Sequence, residues 1–117
     1  MDESDLLIGI VGPCKSGKTV LKNGLAEHGY RCRHISQEHS FVPSMWQKIS
    51  NPDILIYLEV SYQETLSRSF KWPEKDYHKQ QRRLAHALQH ADLIIDTDQS
   101  SIEETLQVSL NFLAQFD

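Results

Sequence analysis

Sulfur is scarce in this chain, with two cysteines, Cys14 and Cys32, in 117 residues. They form no C-x-x-C pair and have no histidine or cysteine neighbours at zinc-finger spacing, so no metal framework is expected. No apolar run approaches the roughly 20 residues needed to span a bilayer, and no membrane partner is expected. Positive charge is also in short supply: 12 Lys and Arg against 16 Asp and Glu give a formal net charge of −4. A nucleic-acid partner, which demands a basic surface, is therefore not expected. The start of the chain carries acids (Asp2, Glu3, Asp5) where an export signal needs positive charge. With reduced thiols as the default, the expected location is cytoplasmic. The length suits one domain with a single core, and 39% hydrophobic with 24% charged residues is ordinary for a globular chain.

Short apolar runs are present and informative. Residues 6–11 (LLIGIV) and 54–58 (ILIYL) are continuous, as in parallel strands covered on both faces; 30–35 is a more polar candidate and 93–95 a shorter one. Between them the pattern predicts helices over about 17–29, 44–49, 61–70 and 76–90, with a last one from 101 to 113. Ser44, Ser61 and Ser101 are each followed three residues later by Gln or Glu, the pattern of a capping box. Gly29 marks a helix end, and Pro73 interrupts helix propagation. Strands alternating with helices predict an α/β fold, a small doubly wound parallel sheet of about four strands with helices on both faces.

The most specific feature is Gly12-Pro13-Cys14-Lys15-Ser16-Gly17-Lys18-Thr19, a full match to G-x-x-x-x-G-K-[ST] between an apolar strand and a helix. Glycines at these positions let backbone curl around an anion, and successive N–H groups with the following helix N-terminus then face phosphate. Lys18 is the expected contact to β- and γ-phosphates, and the Thr19 hydroxyl the expected magnesium ligand. The expected cofactor is ATP or another nucleoside triphosphate with magnesium, held by residues 12–19 and Val20. The base stays open, although no N-K-x-D motif is present to read guanine. Cys14, near a helix N-terminus, is either a reactive thiol or a tolerated loop residue. Lys15 either adds charge near the γ-phosphate or is solvated surface.

From this loop onward the chain resembles the small P-loop kinases, the group of adenylate, shikimate, gluconate and dephospho-coenzyme A kinases. Residues 52–61 (PDILIYLEVS) look like their penultimate strand, and 91–98 (ADLIIDTD) like their last strand and the loop that helps hold adenine, which assigns Thr97 to the nucleotide. The resemblance implies phosphoryl transfer to an unidentified small-molecule or protein acceptor, or hydrolysis of ATP. It also gives meaning to residues 68–83, where six basic residues face two acidic ones. In these kinases an arginine-rich lid occupies that interval, so Arg68, Arg82 and Arg83 are candidate phosphate contacts; otherwise they form a solvated helix face.

The chain departs from the kinase pattern in having about four strands, with no evident strand for a second magnesium-linked carboxylate and little room for an acceptor insertion. Glu38 is the candidate base or water-mediated magnesium contact. Glu59 ends an apolar strand as a Walker B acid would, in a strand away from the usual place. A non-catalytic, nucleotide-responsive regulatory module is the alternative. His86 and His90, at i, i+4 spacing, read as a polar helix face or as metal ligands. Trp46 and Trp72 read as loop anchors or as base-stacking surfaces.

Overall fold

The structure, a computed structural model, describes residues 6–116. The acidic start at Asp2 to Asp5 lies outside the described residues. Four parallel strands form one sheet: β1 (Leu7–Val11), β2 (Arg31–His34), β3 (Ile54–Glu59) and β4 (Leu93–Asp96), in the order β2-β1-β3-β4. Five α-helices connect and cover them: α1 (Lys18–Glu27), α2 (Met45–Ile49), α3 (Tyr62–Ser67), α4 (Glu74–His90) and α5 (Ile102–Leu113).

Alternation along the strands divides the core between the two faces of the sheet. Ile8, Ile10, Ile54, Ile56 and Leu58 meet Leu21 and Leu25 of α1 and Leu113 of α5. Val11, Leu55 and Tyr57 meet Trp46 of α2 and Leu84 and Ala87 of α4 on the opposite side. Helices therefore cover both faces, as the unbroken apolar strands required. Asp53 and Asp92 lie just ahead of strands, where their carboxylates accept from Leu7 N and Leu55 N. Their own N–H groups donate to the carbonyls of those same residues, which prolongs the ladder by one rung.

Helix ends follow local chemistry. Gly29, at φ 92°, closes α1, with its N–H on Ala26 O and the Tyr30 N–H on Leu25 O. At α5 the capping box is complete: Ser101 Oγ accepts from Glu104 N while Glu104 returns to Ser101 N. Ser61 forms half of one, because Glu64 turns to Arg68 and Ser61 N donates to Asp98.

The box expected at Ser44 does not form. The N–H of Trp46 is taken by the buried Gln37 side chain, so a partner distant in sequence replaces the local cap. Helix α3 stops at Ser67 rather than near 70, because Ser69 adopts φ 67° and Phe70 N folds back onto Thr65 O. Helix α4 starts at Glu74 instead of Asp76, with Pro73 as its N-cap and both acids in the first turn.

The order of the strands decides where a ligand fits. From β1 the chain crosses to β2 on one side, then returns to β3 on the other. Such a reversal opens a crevice beyond the carboxyl end of β1. The Gly12–Thr19 loop fills that position.

Candidate functional site

The loop leaves β1 at Gly12, whose backbone lies so close to β3 that a Cβ there would stand 2.4 Å from Leu58 O and 2.7 Å from Ser16 Oγ. A turn follows, closed by Ser16 N on Pro13 O at 3.1 Å. Lys15 and Gly17 take left-handed conformations, φ 66° and 101°, which turn the chain into α1. A Cβ at Gly17 would meet nothing within 4 Å, so glycine is demanded there by backbone conformation alone. The first-turn N–H groups of α1, at Lys18, Thr19 and Val20, have no acceptor within the helix, and these residues line a hollow beside the loop.

Lys18 is the centre of the site. It is 5% exposed. Its ammonium donates to Gly12 O at 2.7 Å and Pro13 O at 2.9 Å, and pairs with Glu38 Oε2 at 3.0 Å. An ammonium has three protons, and all three have partners. Glu38 lies in a 3₁₀ turn, Gln37–His39, just beyond β2. Its second oxygen, Oε1, is buried without a partner, as is Ser16 Oγ. Buried polar atoms are nearly always satisfied, so these two oxygens call for a polar partner, water or ligand, from outside the chain.

Two hollows flank the loop and share Lys15, Gly17 and Val20. One, of about 490 Å³, brings Thr19 together with His34, Glu38 and His39. Thr19 is exposed, with Oγ1 3.5 Å from His34 Nδ1. Burial first, then the nearby Lys18 ammonium, hold the His34 imidazole below its ordinary value. The other hollow, of about 660 Å³, is a cleft between α1 and α5 with an apolar wall that includes Val20, Leu21 and Leu106. Thr97 and Arg68 lie along it.

Arg68 does not reach into either hollow as a free cation. Its guanidinium donates to Lys15 O at 2.6 Å and Thr97 O at 2.9 Å, and pairs with Glu64. It thus ties the loop to the turn after β4. Thr97 in turn donates its hydroxyl to Glu59 O.

Residues 68–83 form no single element: Arg68 caps α3, and the rest runs into α4, which packs on the sheet through Leu84 and Ala87. Arg82 and Arg83 line a separate depression with Phe41, Pro43 and Lys79. Arg83 stacks over the Phe41 ring at 4.4 Å and donates to Glu38 O at 3.4 Å. Glu59 is exposed at the end of β3 and lines a further hollow with Asp96 and Asp98.

His86 Nδ1 accepts a hydrogen bond from Trp46 Nε1–H, and the rings of His86 and His90 pack at a tilt against Trp46. That arrangement seats α2 on α4. Trp72 likewise anchors a loop, donating to Thr65 Oγ1 among Phe70, Tyr62 and Tyr77.

Sequence reasoning missed His34, His39 and Gln80. The register Ile10↔His34 puts the end of β2 beside the loop, so parallel pairing of β1 with β2 would have found His34. Gln80 accepts from Cys14 N at 3.0 Å and donates to Cys14 Sγ at 3.1 Å, a clamp from α4 that no local pattern announces. Among the described residues no helix is long and apolar enough to cross a membrane. Comparisons with protein-family models, curated proteins and solved structures find no match to this chain.

Proposed function

We propose that this chain is a phosphate-loop nucleotide-binding protein of the small-kinase type, taking ATP with magnesium. One observation carries the reading: the lysine of a G-x-x-x-x-G-K-[ST] loop is buried between loop carbonyls and a carboxylate, beside unpartnered Ser16 Oγ and Glu38 Oε1. A triphosphate entering the loop offers Lys18 more negative charge than one carboxylate does, and draws the ammonium from Glu38. The loop N–H groups and the α1 N-terminus then face the phosphates. The cleft between α1 and α5 offers an apolar wall to the base, with Thr97 beside it.

The residues present fit magnesium, because Thr19 exposes a hydroxyl and Glu38 has a free carboxylate oxygen, both hard ligands. When bound, that ion would neutralise charge on the β- and γ-phosphates. Glu38, once parted from Lys18, becomes the base for water or for the hydroxyl of a small-molecule or protein acceptor.

One observation favours a second reading, a nucleotide-responsive binding module without catalysis. Glu38 O accepts from Arg83, and Gln37 donates to Arg83 O at 3.2 Å, so displacement of the 37–39 turn is felt at α4 and the Phe41 surface. The ligand would then act by favouring one arrangement of that surface.

Calorimetric titration with ATP, ADP and GTP plus magnesium, beside a phosphate-release assay, tests both. Lys18→Ala is expected to weaken ATP binding about 30-fold, the loss of roughly 2 kcal/mol from a charge-assisted contact. Unchanged affinity in that variant overturns the proposal. Binding with turnover supports transfer or hydrolysis, and binding without it supports the second reading.

A further inference from the structure

The mouth of the loop holds a second kind of chemistry. Cys14 Sγ, His39 Nε2 and a Glu38 carboxylate oxygen all lie within 4.8 Å of one another. The sulfur stands 3.7 Å from the ring nitrogen, which stands 3.8 Å from Glu38 Oε2. Zinc bonds of about 2.3 Å to sulfur, 2.1 Å to nitrogen and 2.0 Å to oxygen, at tetrahedral angles, put ligand atoms roughly 3.3–3.6 Å apart. Two separations exceed those edges by about half an ångström or less, and the sulfur lies within 4.8 Å of the carboxylate, so side-chain rotation has to close the third edge when an ion arrives.

We propose that Cys14, Glu38 and His39 bind a zinc-class divalent ion, with the fourth position left to water. The donor set decides the class: a thiolate with an imidazole suits zinc, whereas magnesium and calcium take oxygen. Binding forms the Cys14 Sγ–metal bond, and the thiol proton leaves to solvent.

Three further features support the site. Glu38 is 3% exposed, and while the Oε2 beside His39 is shared with Lys18, its Oε1 has no partner, so one carboxylate oxygen is uncommitted. Gln80 donates to Cys14 Sγ at 3.1 Å, a contact that fixes the sulfur. His39, 59% exposed, stands on the solvent side, which leaves a way in. The ligands come from the loop after β1 and the turn after β2, two segments fixed by neighbouring parallel strands.

The proposal does not rest on nucleotide binding, and its test uses metal alone. The full chain is titrated with cobalt(II) under anaerobic reducing conditions, then with zinc. One cobalt per chain is expected, with a thiolate-to-metal charge-transfer band and the intense visible bands of tetrahedral cobalt, all lost on adding one equivalent of zinc. Cys14→Ser should abolish the charge-transfer band, and Cys32→Ser, at the other thiol, should leave it. His39→Ala, an exposed position that spares the core, should weaken binding at least tenfold, with circular dichroism confirming the fold. The absence of a charge-transfer band in the parent chain overturns the proposal. So does a band that survives Cys14→Ser or is lost in Cys32→Ser, or full affinity in folded His39→Ala.

Discussion

Lys18 has committed all its protons before any ligand arrives, and the side chains around it feel that commitment. His34 is one of them. It faces Lys18, Lys22, Glu38 and His39, and burial together with the lysines holds its folded value below the ordinary 6.5. The neutral ring therefore contributes stability above about pH 6.5, which is lost as pH falls through the folded value. Phosphate placed beside Thr19 acts in the opposite direction and favours the charged ring. Nucleotide binding is expected to take up a proton in mildly acid solution. It should tighten as pH falls through that window, by about tenfold for each unit the ligand raises the ring's value. Titrations in buffers of different ionisation enthalpy count the proton, and His34→Asn should remove it. An unchanged count in the variant refutes the coupling.

Among the elements, the loop and α1 show how differently two glycines act. At Gly12 an added Cβ would strike the carbonyl of Leu58, which the sheet cannot move. At Gly24 it would meet only the flexible end of Leu106, at 3.1 Å. Gly12→Ala is expected to cost about 3 kcal/mol in denaturant unfolding and to abolish nucleotide binding. Gly24→Ala, which gains helix propensity, should cost less than about 1 kcal/mol. Equal losses in the two variants would contradict the close approach of loop and strand.

The strands and most of the helices were legible in the sequence because their signals are local: apolar runs, Gly29, Pro73, and serines three residues ahead of glutamates. The loop was legible for the same reason. The ion pair between Lys18 and Glu38, the clamp from Gln80 and the replacement of Ser44 by Gln37 join residues that only folding brings together. No spacing rule carries them. The basic stretch 68–83 shows the same limit from the other side, since its charges read as one feature and are divided among α3, a connection and α4.

At the scale of the whole molecule, β1 sits between β2 and β3, and its carboxyl end gathers the loop, the β2 turn and, through Arg68, the turn after β4. A ligand bound there touches segments from most of the sheet, so occupancy stabilises the domain as a unit. At 100 times its dissociation constant, nucleotide should raise the unfolding free energy by about 2.7 kcal/mol, read as a higher melting temperature. A melting temperature indifferent to saturating nucleotide would deny such linkage. Glu38 adds a condition to this response. It is an anion already seated on the lysine, and under the proposed function it sets a threshold that an incoming phosphate has to exceed. A small anion such as sulfate offers Lys18 little beyond what the carboxylate gives, and should leave the melting temperature unmoved at millimolar concentration. On that reading simple anions are turned away by a carboxylate that only a more highly charged ligand displaces.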